Sequence, residues 1–101
     1  MYDTVAQIPL GRVTTYGAIA RLIGAANSSR LVGYAMNESH KFHPNLPAHR
    51  VVNRNGILTG KHHFESETMM QELLESEGIQ IIEDRIQNFT NLFWDPSIEL
   101  L

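Results

Sequence analysis

Two short amphipathic segments, separated by a few small residues, most strongly constrain the fold of this 101-residue chain. A threonine at position 14 or 15 can cap a helix that runs to about Ile23, and Gly24 is suited to end it. A serine at 28 or 29 can cap a second helix to about Glu38, after a tight connection over residues 26–28. The second helix is predicted to bury four residues, Leu31, Val32, Ala35 and Met36. Two helices joined in this way form a helix-turn-helix pattern.

The segments around this pattern predict a winged helix-turn-helix in one domain, 1–101. Val51-Val52 and Ile57-Leu58 flank a Gly-containing turn, which favours a β-hairpin and therefore a wing. Ser66 can cap a helix over 67–77 that Gly78 ends, and residues 79–82 can add a strand. A short helix is expected over 2–8, before Pro9, and the apolar tail 89–96 is expected to dock on the body. The predicted fold class is mainly α with a small β-hairpin.

Charge is unevenly distributed along the chain. Residues 1–63 hold seven of the eight Lys and Arg, two of the eleven acids and all five histidines, for a formal charge of +5. Residues 64–101 hold nine acids and Arg85, for a formal charge of −8. This split is typical of a protein with one polyanion-binding face and one acidic face, although a random split on a solvated surface has the same composition.

Several classes of function are disfavoured by composition. The chain has no cysteine, which excludes disulfides, thiolate metal sites and thiol nucleophiles. No apolar run approaches the roughly 20 residues needed to span a membrane, and the amino terminus does not resemble a signal peptide. We therefore expect a soluble cytoplasmic protein, monomeric and without a cofactor. His62-His63 does not predict a metal site, because adjacent side chains rarely chelate one ion.

Four motifs occur in order along the chain. They are Ile8-Pro9-x-Gly11-x-Val13-x-Thr15-Tyr16-Gly17-x-Ile19-Ala20, Arg30-x-Val32-Gly33-x-Ala35-Met36, Pro47-Ala48-His49-Arg50-Val51-Val52 and Leu73-Leu74-x-x-Glu77-Gly78. Together they resemble the C-terminal domain of the O6-alkylguanine-DNA alkyltransferases over about residues 2–80. The tail from about 83 to 101 has no counterpart there. The transferases also carry Asn-Pro after the recognition helix, where this chain has Asn37-Glu38-Ser39.

Position 48 is where the resemblance places the cysteine that accepts the alkyl group in the transferases. This chain has Ala48 there, and alanine has no lone pair with which to attack. The resemblance therefore implies an alkyltransferase-like protein that holds a damaged base and performs no transfer. The matching general base, His49, and the matching glutamate, Glu77, are expected to persist as structural hydrogen-bond partners. Arg50 is expected to be architectural as well.

The resemblance also assigns residues that contact DNA, namely Tyr16, Ser29, Arg30, Gly33 and Lys61. Arg30 matches the arginine that enters the space left by the flipped nucleotide, and Tyr16 matches the tyrosine beside its phosphate. Gly33 allows the backbone to approach DNA closely. Each has a plain structural alternative: a surface arginine, a half-buried core tyrosine and simple helix packing.

The lesion pocket implied by the resemblance is formed by Tyr16, Met36, Ala48, Val51 and Lys61. Alanine in place of cysteine enlarges that pocket, so bulkier alkyl groups fit. Lys61 falls near the position of a tyrosine that donates to guanine O6 in the transferases, and a lysine can donate there with a charge. An exposed loop lysine is the alternative.

The function implied is that of a non-enzymatic sensor. It binds and flips O6-alkylguanine in double-stranded DNA and flags the site for nucleotide excision repair damage-recognition proteins. A winged-helix transcription regulator that reads undamaged DNA by sequence is the first alternative. A glycosylase that uses His49 and Glu77 to activate water is the second.

Overall fold

A computed structural model describes residues 1–24 and 28–100. Its elements in chain order are helix α1 (Tyr2–Ala6), strand β1 (Thr14–Thr15), helices α2 (Tyr16–Leu22) and α3 (Ser29–Phe42), strand β2 (Val51–Val52), helix α4 (Met69–Ser76), strands β3 (Ile81–Ile82) and β4 (Arg85–Ile86), and helices α5 (Phe89–Leu92) and α6 (Pro96–Glu99). Short 3-10 helices cover Ala48–Arg50 and Lys61–His63. The predicted class, mostly helical with a small antiparallel sheet, is confirmed. Within the described ranges, no helix combines the length and the apolar character needed to cross a membrane.

The helix ends follow local sequence signals. The Thr15 side chain accepts a hydrogen bond from the Ala18 N–H at 3.0 Å and so caps α2. Gly78 follows α4 with a φ of +88°, a left-handed conformation that favours glycine. There Ile79 N–H donates to Leu74 O and Gly78 N–H to Glu75 O, the pairing of a Schellman motif. The connection predicted over residues 26–28 lies outside the described residues, apart from Ser28.

Helix α3 differs from its prediction in length and in its buried face. It extends to Phe42, four residues past the predicted end at Glu38, because no proline interrupts it before Pro44. Its buried residues are Val32, Met36 and Ser39, which form one narrow stripe at helical spacing. Leu31 was predicted to face inward and is instead 63% exposed.

The hairpin predicted over residues 51–58 is wrong in its pairing. Strand β2 pairs in parallel with β1, which places Thr14 opposite Val51 and Thr15 opposite Val52. The turn itself forms, because Gly56 N–H donates to Asn53 O at 2.9 Å. The antiparallel hairpin is instead β3–β4, whose two turn residues, Glu83 and Asp84, both have positive φ. The helix predicted over 67–77 does form, but it covers only the shorter span of α4.

The β1–β2 pair lies between two clusters of buried side chains. Val51 belongs to the first cluster and its neighbour Val52 to the second, because successive residues of a strand point to opposite faces. The first cluster consists of Val5, Ile8, Ile19, Ala20, Val32, Met36, Val51 and Trp94. The second consists of Val13, Val52, Leu58, Met70, Leu74, Ile79, Ile81 and Ile86.

The C-terminal tail docks on the body as expected. Trp94 is 4% exposed, and its backbone N–H donates to Val13 O at 2.7 Å. The Arg12 guanidinium donates to the carbonyls of Leu92 and Phe93 at 3.0 and 2.7 Å. The tail therefore completes the first cluster, against which α2 and α3 pack.

Candidate nucleic-acid interface

An open groove of about 350 Å³ lies between α3, the first residue of α2 and the segment 59–63. We call it the α3 groove; it is lined by Tyr16, Ser29, Arg30, Gly33, Tyr34, Asn37, Thr59, Gly60 and His63. Four of the five residues assigned to DNA contact lie in it: Tyr16, Ser29, Arg30 and Gly33. All nine lining residues belong to the basic half, residues 1–63. A groove with this composition suits a polyanion.

The α3 wall of the groove presents a charge and an open stretch of backbone. Arg30 is exposed in the first turn of α3, and among the described residues it forms no ion pair. A Cβ atom added at Gly33 would have no neighbour within 4 Å, so the backbone there is open to an approaching ligand.

The opposite wall is formed by Tyr16, which the Thr15 cap positions at the start of α2. A Cβ atom at Gly60 would lie 3.0 Å from the Tyr16 hydroxyl, so glycine allows the segment to pack against this ring. Burial raises the pKa of the Tyr16 phenol, and the Thr59 side chain acts in the opposite direction. Tyr16 is therefore protonated at neutral pH and can donate a hydrogen bond to an anion.

Lys61 does not line the groove. Its Nζ lies 2.7 Å from Asp84 Oδ2, in the turn of the β3–β4 hairpin. The hydrogen bond with Asp84 raises the pKa of Lys61, which therefore stays charged. Asp84 lies beyond the region of the family resemblance, which ends at about residue 80, and the sequence did not predict its pairing with Lys61.

The residues assigned to the lesion pocket do not line one common cavity. Met36 and Val51 are 3% and 1% exposed within the first cluster, and Tyr16 and Ala48 pack against that cluster. Ala48 also lines a cavity of about 570 Å³, which we call the Ala48 cavity, between the end of α3, the loop 43–50 and α4. A smaller depression adjoins both sites, because it shares His63 with the α3 groove and His40 with the Ala48 cavity.

His49, Arg50 and Glu77 form a hydrogen-bonded network. Glu77 Oε2 lies 2.6 Å from His49 Nε2 and 2.9 Å from an Arg50 guanidinium nitrogen. Arg50 Nε donates to Glu77 Oε1 at 3.0 Å, and the Gly11 N–H donates to the same oxygen at 2.8 Å. Arg50 also donates to Ile8 O. The network joins the segment before β1, the segment before β2 and the end of α4.

The protonation states of this network follow from its geometry. Burial raises the pKa of Glu77, but hydrogen bonds from Arg50, Gly11 and His49 outweigh it and lower the pKa to about 2. Burial lowers the pKa of His49, against the opposing effect of its hydrogen bond to Glu77. At neutral pH the pair is therefore a carboxylate and a neutral imidazole whose Nε2–H donates to it. The arrangement orients a base, but the neighbouring residue at 48 offers no atom to deprotonate.

No group of three or more potential metal ligands occurs within the part of the chain that the structure describes. His62 instead pairs with Glu67 at 2.9 Å on the surface, where both side chains are exposed.

Sequence reasoning missed five residues of the groove, Tyr34, Asn37, Thr59, Gly60 and His63. Tyr34 and Asn37 follow Arg30 at helical spacing, four and seven residues on, and a helical projection from Arg30 identifies them. Thr59, Gly60 and His63 lie in a loop, where periodicity carries no information. A neighbouring depression also brings Arg54 close to Tyr16 and Ser29.

Comparisons with known proteins agree with this geometry. The family model described as the DNA-binding domain of 6-O-methylguanine DNA methyltransferase matches residues 1–79. Alkyltransferase-like protein 1 of Schizosaccharomyces pombe is 35% identical over 95% of this chain and 92% of its own length. The DNA base-flipping protein of Escherichia coli is 40% identical over 80% of this chain and 60% of its length. The match to the methylated-DNA–protein-cysteine methyltransferase of Shigella flexneri spans 34% of that enzyme.

Two solved structures share the fold. A crystal structure of S. pombe Atl1 in complex with damaged DNA containing O6-carboxymethylguanine superposes with a TM-score of 0.82. It is 35% identical in sequence and covers 94% of this chain and 91% of its own. A second structure of the S. pombe protein in complex with DNA superposes with a TM-score of 0.77. The chain thus belongs to the family of the 6-O-methylguanine DNA methyltransferase DNA-binding domain, among its alkyltransferase-like proteins.

Proposed function

We propose that this protein binds O6-alkylguanine in duplex DNA, flips the lesion out of the stack and leaves it unrepaired. The observation that carries the proposal is the α3 groove, in which an exposed Arg30 faces a protonated Tyr16 across an open backbone at Gly33. The fold that presents the groove superposes on a relative bound to damaged DNA. A lesion at guanine O6 lies within the stack, so a protein that grips it must extrude the nucleotide.

Each wall of the groove has a role in this proposal. Arg30 enters the space that the flipped guanine leaves, where its planar guanidinium stacks on neighbouring bases. Tyr16 donates to the phosphate beside the flipped nucleotide, and Gly33 lets α3 approach the sugar-phosphate backbone.

The Ala48 cavity is the proposed site of the alkyl group. It adjoins the groove through the depression shared by His63 and His40, and its 570 Å³ leaves room for substituents larger than methyl. Lys61 is paired with Asp84, so it can contact guanine O6 only after that ion pair breaks.

The titration that tests the proposal compares O6-methylguanine with guanine at one position of the same duplex. Tighter binding to the alkylated duplex is expected, and affinity should fall as salt rises, because phosphates supply much of the binding energy. Equal affinity for the two duplexes, together with a preference among undamaged sequences, would instead indicate a winged-helix regulator.

Replacing Arg30 with alanine is expected to weaken binding to the alkylated duplex by about 1–3 kcal/mol, the scale of a lost stacking or charge-assisted contact. The matched control is Arg85→Ala, which removes the same charge from an exposed residue in the acidic half. Fluorescence anisotropy with labelled duplex measures both. Intercalation by Arg30 is wrong if the two variants bind equally well.

No alkyl group is expected to move to the protein. The chain contains no thiol, and the base His49 faces Glu77 with no nucleophile beside it. Incubation with DNA that carries a labelled O6-methyl group should leave all label on the DNA, and stoichiometric label on the protein refutes the proposal. Release of a free modified base would indicate a glycosylase. Ala48→Cys alone is expected to restore little transfer.

The same proposal gives the acidic half, residues 64–101, a role in recruiting nucleotide excision repair proteins. Glu67, Glu72 and Glu75 are exposed, and none of the described residues that line the α3 groove is acidic. Reversing these three charges together is expected to leave lesion affinity unchanged or slightly higher and to reduce recruitment of damage-recognition proteins to the complex. A loss of lesion affinity would place this face on the DNA, and unchanged recruitment would remove the partner role.

A further inference from the structure

Two large apolar side chains lie exposed in the first half of α3, and Tyr34, four residues after Arg30, lies on the same side of the helix as Arg30. Leu31 is 63% exposed and Tyr34 is 57% exposed. Both lie outside the buried stripe of α3, and Tyr34 lines the α3 groove together with Arg30. Tyr34 therefore presents an exposed aromatic ring next to the Arg30 cation, in the groove where the proposed function places DNA.

The spacing of Arg30 and Tyr34 fits a stack of bases. Residues four apart lie on one face of a helix and are separated by about 6 Å along its axis. Successive bases of one strand are about 3.4 Å apart. If Arg30 occupies the space of the flipped guanine, Tyr34 lies within about two base steps of it, close enough for its ring to reach a base that flanks the opened site.

We propose that Tyr34 is a second DNA wedge, which stacks on a base or sugar next to the flipped nucleotide. The proposal rests on the proposed function and adds a specific residue to it. Apolar side chains inserted between base steps support kinking from the minor groove, and an aromatic face stacks on any base. The role is one of positioning the opened duplex and is independent of which alkyl group is present.

Duplex DNA is the occupant favoured over a protein partner because of the charge around Tyr34. The nine described lining residues of the α3 groove all come from the half with a formal charge of +5, and none of the nine is acidic. Such a surface attracts phosphates, and the apolar ring then gains contact with bases. Phe42 provides a contrast, because it is 64% exposed on the same helix but does not line the groove.

The test compares Tyr34→Ala, Tyr34→Phe and the matched control Phe42→Ala in binding to a duplex with one O6-methylguanine. Tyr34→Ala is expected to weaken binding at least fivefold, whereas Tyr34→Phe, which keeps the stacking ring, stays within about threefold of the parent. Phe42→Ala is expected to bind as the parent does. Thermal unfolding of each free protein by circular dichroism checks that the fold is retained.

A fluorescent base gives a readout that a merely structural role would not change. With 2-aminopurine one step from the lesion, at saturating protein, fluorescence should be higher in the Tyr34→Ala complex than in the Tyr34→Phe complex, because the base loses its stacking partner.

Two results overturn the wedge. In the first, Tyr34→Ala binds the alkylated duplex as tightly as the parent does, although Arg30→Ala has lost binding. In the second, Phe42→Ala loses as much affinity as Tyr34→Ala. In both cases the proposed function stands. A parent protein that does not distinguish alkylated from unmodified duplex defeats the proposed function itself.

Discussion

Replacing Glu77 with alanine is expected to lower the free energy of unfolding by about 3–5 kcal/mol, the cost of removing one partner from a buried ion pair. The Glu77 side chain is 8% exposed and accepts hydrogen bonds from two other segments of the chain, one through Gly11 and one through the adjacent residues His49 and Arg50. Its removal leaves the Arg50 guanidinium, 15% exposed, without its carboxylate. For a domain whose total stability is about 5–15 kcal/mol, this loss is severe.

Urea unfolding followed by circular dichroism measures the effect, with Glu75→Ala as the matched control. Glu75 is exposed in the last turn of α4, and among the described residues its side chain bonds only to Gln71, so its loss is expected to change stability by less than about 0.5 kcal/mol. Adding Arg50→Met to Glu77→Ala should recover part of the loss, because the unpaired charge is removed as well. Similar stabilities of Glu77→Ala and Glu75→Ala would mean that the network contributes nothing to folding.

The stability of Glu77→Ala is also expected to depend on pH differently from that of the parent. The pKa of Glu77 is about 2 in the folded protein and 4.5 when unperturbed, so folding favours its charged form. Its contribution, about 3 kcal/mol, is complete above pH 4.5 and is lost as the pH falls from 4.5 to 2. The difference in stability between the parent and Glu77→Ala should therefore narrow over that range.

Replacing Trp94 with alanine is expected to cost about 3–5 kcal/mol, the range for truncating a buried aromatic residue. Trp94 lies in the first cluster with residues of α1, α2, α3 and β2, and its backbone pairs with Val13. Although it lies beyond the region 1–79 that the family model matches, its side chain supports the helices that form the α3 groove. Lesion binding should therefore weaken together with stability.

Thermal unfolding by circular dichroism measures the loss, and Phe42→Ala is the control for deleting an exposed aromatic ring. Trp94→Phe is expected to retain most of the stability, because it keeps apolar volume in the cluster. The parent's only tryptophan should emit at short wavelength and shift to longer wavelength on unfolding. A melting temperature of Trp94→Ala within about 2 °C of the parent would mean that the tail does not support the domain.

Trp94 and Glu77 illustrate how much of the structure sequence patterns can predict. The tail was expected to dock because it is apolar, but its position against α2 and beside Val13 depends on contacts between residues far apart in sequence. Glu77 was recognised through its motif, whereas its bonds to Gly11 and Arg50 arise only when three separate segments meet. Patterns of residue type identify which side chains are available for such contacts but not their partners.

The sequence by itself determined the features that depend on a few neighbouring residues. The cap at Thr15, the glycine end of α4 and the apolar stripe of α4 are of this kind, because each is decided within about one helical turn. The absence of a thiol at position 48 is also a property of the sequence alone.

Only the tertiary structure decided which surfaces meet. β2 pairs with β1, 37 residues earlier, although a local turn had predicted a hairpin with Ile57-Leu58. Lys61 binds Asp84 across the fold, and Leu31 stays exposed because α3 is covered along only one narrow stripe. The physical reason is that an apolar side chain favours burial wherever it lies. The geometry of the neighbouring elements determines which apolar residues are covered and which remain available for a partner.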